Sequence, residues 1–172
     1  NLYGCFHCSR LVGKHMVDVL EKLSVPILVI EADAERITSL NKRNIPTLYG
    51  DASNSEVIDH AHLDRASALV VTIPNETSAE LIVTAARDLN PDLPIVAQMT
   101  FVEERRTIAG HSPEEVANAL CELGVAVAGA NCSSGPALVL RVARRMQAAC
   151  PKLVYASQPN AGYPTRQSGR LM

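Results

Sequence analysis

The chain has 172 residues, 47% of them hydrophobic, so it is long enough for one domain or slightly more and can bury a core. Sixteen basic against eighteen acidic side chains leave a net charge of -2 with no long block of either sign, so neither nucleic acid nor an anionic membrane surface is expected as a partner. No apolar run reaches the roughly 18 residues that span a bilayer, and the five cysteines lack paired zinc-finger spacing, so reduced thiols in a cytoplasmic protein are the expectation.

In chain order, Leu2 to Cys8 is the only candidate for a first strand, although Gly4 and His7 interrupt its pattern. Helical spacing follows over Leu11 to Leu23, then a β-branched apolar run at Ile27 to Ile30. The alternation continues with helix Ala34 to Arg43, strand Thr47 to Tyr49, helix Ser55 to His60 and strand Leu69 to Ile73. Helix Thr77 to Leu89, strand Ile95 to Ala97, helix Pro113 to Leu123 and strand Val125 to Ala130 come next. Helix Ala137 to Ala149 and strand Leu153 to Ala156 complete the series. This βαβ alternation predicts an α/β fold with a parallel sheet and right-handed crossovers. Ser112-Pro113-Glu114-Glu115 has the spacing of a capping box, and Gly124 supplies a residue suited to ending that helix.

The first half carries part of a dinucleotide fingerprint. Such a site needs a tight strand-to-helix turn for phosphate and an acidic side chain after the second strand for ribose. Glu31 follows Ile27-Leu28-Val29-Ile30 and stands near the expected separation of about 20 residues from Gly13; Asp33 is the alternative. Only the last glycine of the G-x-G-x-x-G pattern is in register, because Cys8 and Arg10 occupy the two earlier places. Cβ atoms there crowd a pyrophosphate, so weak, ribose-directed binding is predicted.

Several motifs together resemble the TrkA N-terminal domain family, the regulators of potassium conductance on channels and cation:proton antiporters. They are Gly13-Lys14-His15, Val29-Ile30-Glu31-Ala32-Asp33, Tyr49-Gly50-Asp51-Ala52-Ser53, Val70-Val71-Thr72-Ile73-Pro74 and Asn90 to Val96. The resemblance covers about residues 9 to 98. It implies a Rossmann-like cytosolic lobe that binds NAD(H) or an adenine nucleotide, serves a membrane transport domain and forms homodimers. By that likeness Glu31, with Asp33 beside it, holds ribose, while Gly50, Asp51 and Ala52 line the adenine side. Thr72 and Pro74 stand at the mouth, and Arg10 and Gly13 belong to the phosphate turn. Two plainer roles compete: Glu31 as a solvated strand-end carboxylate, and Gly50-Asp51 as a turn and N-cap for the next helix. His7, His15, His60, His62 and His111 lack zinc spacing and are read as structural.

From about Gln98 a second likeness begins. Gln98-Met99-Thr100-Phe101, Gly110 to Val116, Gly129 to Pro136 and Gln158 to Pro164 resemble homocysteine S-methyltransferases, including fusions with methylenetetrahydrofolate reductase. That likeness implies βα units of a TIM barrel and makes Cys132 one of three thiolate ligands of a catalytic zinc. The other two ligands fall in a loop that this sequence does not contain, so zinc is expected only with the missing half. The resulting division is a nucleotide-binding unit over residues 1–98 and a partial methyltransferase-like segment over 99–172. A regulatory nucleotide-binding function is favoured over a methyltransferase fragment or an inactive chimera, and no catalysis is expected. The ends, Asn1 and Met172, suggest a fragment, either a broken natural fusion or a chimeric gene. Residues 94–130 are expected to extend the first sheet, since the units present are too few to close eight strands.

Overall fold

The structure is a computed structural model that describes residues 3–8, 12–73, 75–102, 106–131, 135–159, 166–167 and 170–171, with backbone alone for 3–8, 12–15, 166–167 and 170–171. Strand β1 (Tyr3–Cys8) leads to helix α1 (Val12–Lys22), β2 (Ile27–Glu31), α2 (Ala34–Asn41), β3 (Thr47–Tyr49) and α3 (Ser55–Asp59). A 3₁₀ turn at Leu63–Arg65 precedes β4 (Ala66–Thr72), α4 (Glu76–Leu89), β5 (Ile95–Thr100) and α5 (Pro113–Glu122). Then come β6 (Val127–Asn131), α6 (Pro136–Ala149) and β7 (Val154–Gln158), with a short antiparallel pair, β8 (Arg166–Gln167) and β9 (Arg170–Leu171).

The seven main strands form one parallel sheet in the order β3-β2-β1-β4-β5-β6-β7. The chain builds outward from β1 in one direction, returns over α3, and builds outward from β4 in the other. Right-handed crossovers therefore place α1 and α2 on one face and α3 to α6 on the opposite face. The cores agree: Val17, Val29, Ile45 and Val70 pack on the first face, while Ile58, Ile82, Val116, Val142 and Met146 pack on the second. On α6 the buried residues Val139, Val142, Ala143 and Met146 follow the three-to-four spacing of an amphipathic helix.

Helix starts are fixed by short polar side chains, of which sequence alone points to Ser112, while Asn54 caps α3 where Asp51 is the sequence candidate. Asp33, Asn54 and Asn75 accept amide hydrogens of the first turns of α2, α3 and α4. At α5 both halves of the capping box form between Ser112 and Glu115. Gly124 adopts φ 64° between α5 and β6, a left-handed conformation that costs glycine little. Arg87 of α4 binds three carbonyls, donating to Pro91 at 3.0 Å, Leu93 at 2.6 Å and Gly124 at 2.5 Å. One guanidinium thus joins the end of α4, the entry to β5 and the turn before β6.

One expectation is met and two are corrected. Residues 94–130 extend the first sheet as expected, β5 pairing with β4 and β6 with β5, and β7 then adds to β6, so the βα units likened to a TIM-barrel family are units of an open sheet and not of a barrel. A βα unit packs equally well in either setting, and here the free edge of β4 takes the next strand. The thiols are not all reduced either. Cys121 near the end of α5 and Cys150 at the C-cap of α6 form a disulfide with a Cα–Cα distance of 6.6 Å. Their separation of 29 residues hides the pairing in the sequence, and it arises because α5 and α6 lie side by side. Arg145 reinforces the same helix pair through a bidentate contact with Glu114 at 2.6 and 2.7 Å.

Candidate functional site

The strand order reverses between β1 and β4, and in open parallel sheets ligands bind beyond the carboxyl ends of the strands at such a point. Register brings the candidate residues to that end. Cys8 stands level with Thr72 on one side, and His7 pairs with Ile30 on the other, so Glu31 lies one step further at the same level. Two strand spacings then separate Glu31 from Thr72, about 10 Å. Glu31 in turn pairs with Tyr49, and its carbonyl accepts the Gly50 amide at 3.0 Å. Glu31, Gly50, Asp51 and Thr72 are therefore gathered along one rim.

Glu31 is not a solvated strand-end carboxylate, being only 5% exposed. Its Oε1 accepts the amides of Ala32 at 3.0 Å and Asp33 at 3.1 Å, and its Oε2 meets the Arg36 guanidinium at 2.9 Å. Burying a carboxylate is costly unless donors surround it, and this turn supplies three. The lone pairs left on the two oxygens suit a vicinal diol, which offers two further donors. Arg36 is a member of this site that sequence reading missed. Its placement depends on α2 starting at Ala34, which brings the guanidinium back over the strand end.

Asp33 is occupied as the N-cap of α2, accepting the amides of Glu35 at 2.9 Å and Arg36 at 3.3 Å. Asp51 accepts both the amide and the hydroxyl of Ser53, at 2.9 and 2.8 Å, while the N-cap of α3 is Asn54. Gly50 has φ 153°, and a Cβ there falls 2.7 Å from Val57 Cγ2, so both backbone and space favour glycine at this turn. Ala52 is buried among the core residues. Thr72 is 2% exposed at the end of β4. Gly13 lies in the first turn of α1. Arg10, Pro74 and Cys132 lie outside the described residues.

A polar row on the sheet itself was also missed. Gln98 and Asn131 are 2% and 1% exposed, and Thr100 Oγ1 donates to Asn131 Oδ1 at 2.8 Å. Gln98 Oε1 and Asn131 Nδ2 have no hydrogen-bond partner among the described residues. Short polar side chains within an apolar strand give no periodic signal, so sequence alone does not mark them.

His111, read as structural, has a charged partner. Its Nδ1 meets Glu76 Oε2 at the start of α4. The hydrogen bond to Glu76, followed by the charge of Glu76, raises the imidazole pKa above its ordinary 6.5, with burial opposing. A raised folded-state pKa stabilises the fold fully below the ordinary value and loses that contribution as pH climbs through the folded one. An NMR titration is expected to place the His111 midpoint above 6.5 in this chain and nearer 6.5 in Glu76→Gln. Equal midpoints in the two proteins would remove the pair. Among the described residues no cluster of three or more metal-ligating side chains occurs, and no helix is long and apolar enough to cross a membrane.

The TrkA-N domain family model matches residues 10–126. The putative cation/proton antiporter YbaL of Escherichia coli K12 is 37% identical over 117 residues, covering 65% of this chain and 21% of that protein. The crystal structure of the TrkA-N domain of E. coli inner membrane protein ybaL aligns with TM-score 0.62 and 31% identity, covering 74% of this chain and 85% of that one. A structure of the GsuK channel bound to NAD aligns with TM-score 0.58 at 12% identity, covering 74% of this chain and 21% of that one, and so shows the fold alone. The chain thus spans about a fifth of the curated antiporter. The family match runs through Gln98 to Phe101 and Gly110 to Val116, two of the motifs behind the methyltransferase likeness. That likeness, with its zinc, gains no support.

Proposed function

The chain belongs to the TrkA-N domain family, and from that premise we propose that it is a regulatory nucleotide-binding module of a potassium or cation:proton transport protein. It takes NAD(H) or an adenine nucleotide at the carboxyl ends of β1, β2 and β4, and it carries no catalysis of its own. The nucleotide-contacting residues lie within residues 1–98, and the same sheet continues through β5 into β6 and β7; the partners are a membrane transport domain and a second copy of the chain at the cytosolic face. The observation that carries the reading is the buried Glu31 carboxylate at the end of β2, held by three donors beside the point where strand order reverses.

These residues fit an adenosine better than a pyrophosphate. Glu31 accepts from ribose hydroxyls, Arg36 and Asp33 shape the turn that holds it, and Gly50 with Asp51 bounds the adenine side. The phosphate turn has lost two glycines, which argues for modest affinity. Fluorescence titration of NADH, with competition by ADP, is expected to show saturable binding with Kd on the order of 10 to 100 μM, about 5.5 to 7 kcal/mol. Linear, unsaturated signals for both ligands into the millimolar range would overturn the assignment.

A further inference from the structure

We propose that Cys121 and Cys150 form a reversible thiol–disulfide latch that sets the mobility of α5, the helix forming one wall of the cleft between α4 and α5. The bond joins the last turn of α5 to the C-cap of α6. Cys121 is half-buried, whereas Cys150 is 4% exposed within the core. One residue of the pair is thus partly exposed and the other buried, an asymmetry that suits exchange entering from the Cys121 side. A pair buried on both sides would be a static crosslink instead.

The position links the bond to a cleft. Leu120 and Leu123, on either side of Cys121, help to line an opening of about 380 Å³, with Ala79, Met99 and Val116 on its apolar floor and Glu76 and His111 at its rim. The same α5–α6 pair is held further along by Glu114 and Arg145, whose partly exposed contact is screened by solvent. Reduction leaves that ion pair, the apolar contacts and the Arg87 bond to the Gly124 carbonyl, so α5 stays docked while its C-terminal turn loses its covalent tie to α6 and gains mobility. The latch thus acts on the cleft wall and leaves the sheet intact.

The oxidant is a low-molecular-weight disulfide such as oxidised glutathione. The Cys121 thiolate attacks one sulfur of that disulfide and expels one glutathione thiolate. The Cys150 thiolate then attacks Cys121 Sγ in the mixed disulfide and expels the second. The two cysteines lose two electrons in total, oxidised glutathione gains them, and the two protons pass to the released thiolates. Reduction is the reverse, with a glutathione thiolate entering at Cys121.

The whole chain equilibrated in buffers of graded reduced-to-oxidised glutathione ratio, quenched in acid and mapped by alkylation and peptide mass, gives a direct readout. The Cys121–Cys150 peptide is expected to disappear in excess reduced glutathione and return on adding the oxidised form. Reduction is expected to lower Tm by about 10 °C, the scale for opening a loop of this length in a chain of this size. Amide hydrogen exchange in the last turn of α5 is expected to accelerate about tenfold. Cys121→Ser alone, at the half-buried position, is expected to keep the fold and show the fast exchange under all conditions. A crosslink that never forms, or one that persists in excess reduced glutathione, would overturn the latch. So would reversible exchange with unchanged α5 protection.

Discussion

Replacing Glu31 with alanine is expected to weaken NADH binding by roughly ten- to a hundredfold, the range for deleting a charged acceptor from a hydrogen-bonded pair. ADP should lose affinity by the same factor, because both ligands present the same adenosine ribose to this carboxylate. The variant also removes the acceptor for the Ala32 and Asp33 amides and leaves Arg36 with Asp33, at 3.5 Å, as its remaining ion-pair partner. Folding must therefore be checked by Tm alongside affinity. Glu31→Gln separates the two roles: its carbonyl oxygen still accepts a backbone amide, while the charge that favours two ribose hydroxyls is gone. Glutamine is expected to fall between wild type and alanine in both affinity and Tm, because its amide nitrogen cannot accept from the Arg36 guanidinium. If alanine binds NADH as tightly as wild type while remaining folded, Glu31 is outside the site.

Much of this rim is legible in the sequence because its signals are local. An apolar β-branched run ending in Glu31 and a Gly-Asp pair after the third strand each depend on fewer than ten neighbouring residues. The capping box at Ser112 is legible for the same reason, whereas the caps at Asp33 and Asn54 emerge only in the structure. β1 is harder to recognise, since Gly4 and His7 break its pattern, yet it is a central strand held by β2 on one side and β4 on the other. Arg36 reaches Glu31 only once α2 has turned back over the strand, so spacing alone does not announce the pair. The Cys121–Cys150 bond depends on the packing of two helices whose order along the chain says nothing about which faces meet.

The second half shows where local signals stop deciding. Its βα units carry no information about whether their strands close a barrel or extend a sheet, since each unit buries the same helix face against the same strand face. The decision comes from the partners available. Arg87 draws the α5–β6 turn to the end of α4, β6 pairs with β5 through five registered positions, and β7 then finds the open edge of β6. A motif that likens Gly129 to Cys132 to a catalytic loop thus serves, at Gly129 at least, a packing role within the sheet.

That role gives the largest stability effect expected of a substitution in the sheet. Substituting Gly129 with alanine or valine is expected to destabilise the fold by about 2 to 3 kcal/mol, as overpacked core positions do. Intrinsic preference predicts the opposite sign, because glycine weakens a strand interior and valine favours one, on a scale spanning about 1 kcal/mol. The geometry decides between them. A Cβ on Gly129 falls 2.5 Å from the backbone oxygen of Ala156 and 3.2 Å from Gln98 Cγ. The first obstacle is the backbone of β7, which cannot rotate away as a side chain can, so the β6–β7 ladder has to part. β7 is the sheet's edge strand and is the element that gives. Most of the cost arises at Cβ, so alanine should be nearly as harmful as valine, a pattern that propensity does not produce. Urea denaturation and thermal melting are expected to show a lowered midpoint, with Tm down by about 6 to 10 °C. Hydrogen exchange should rise first in Val154 to Gln158, with β1, β2 and β4 still protected. A neutral or stabilised Gly129→Ala would mean that β6 and β7 are not paired as described, and the extension of the sheet beyond β6 would fall with it.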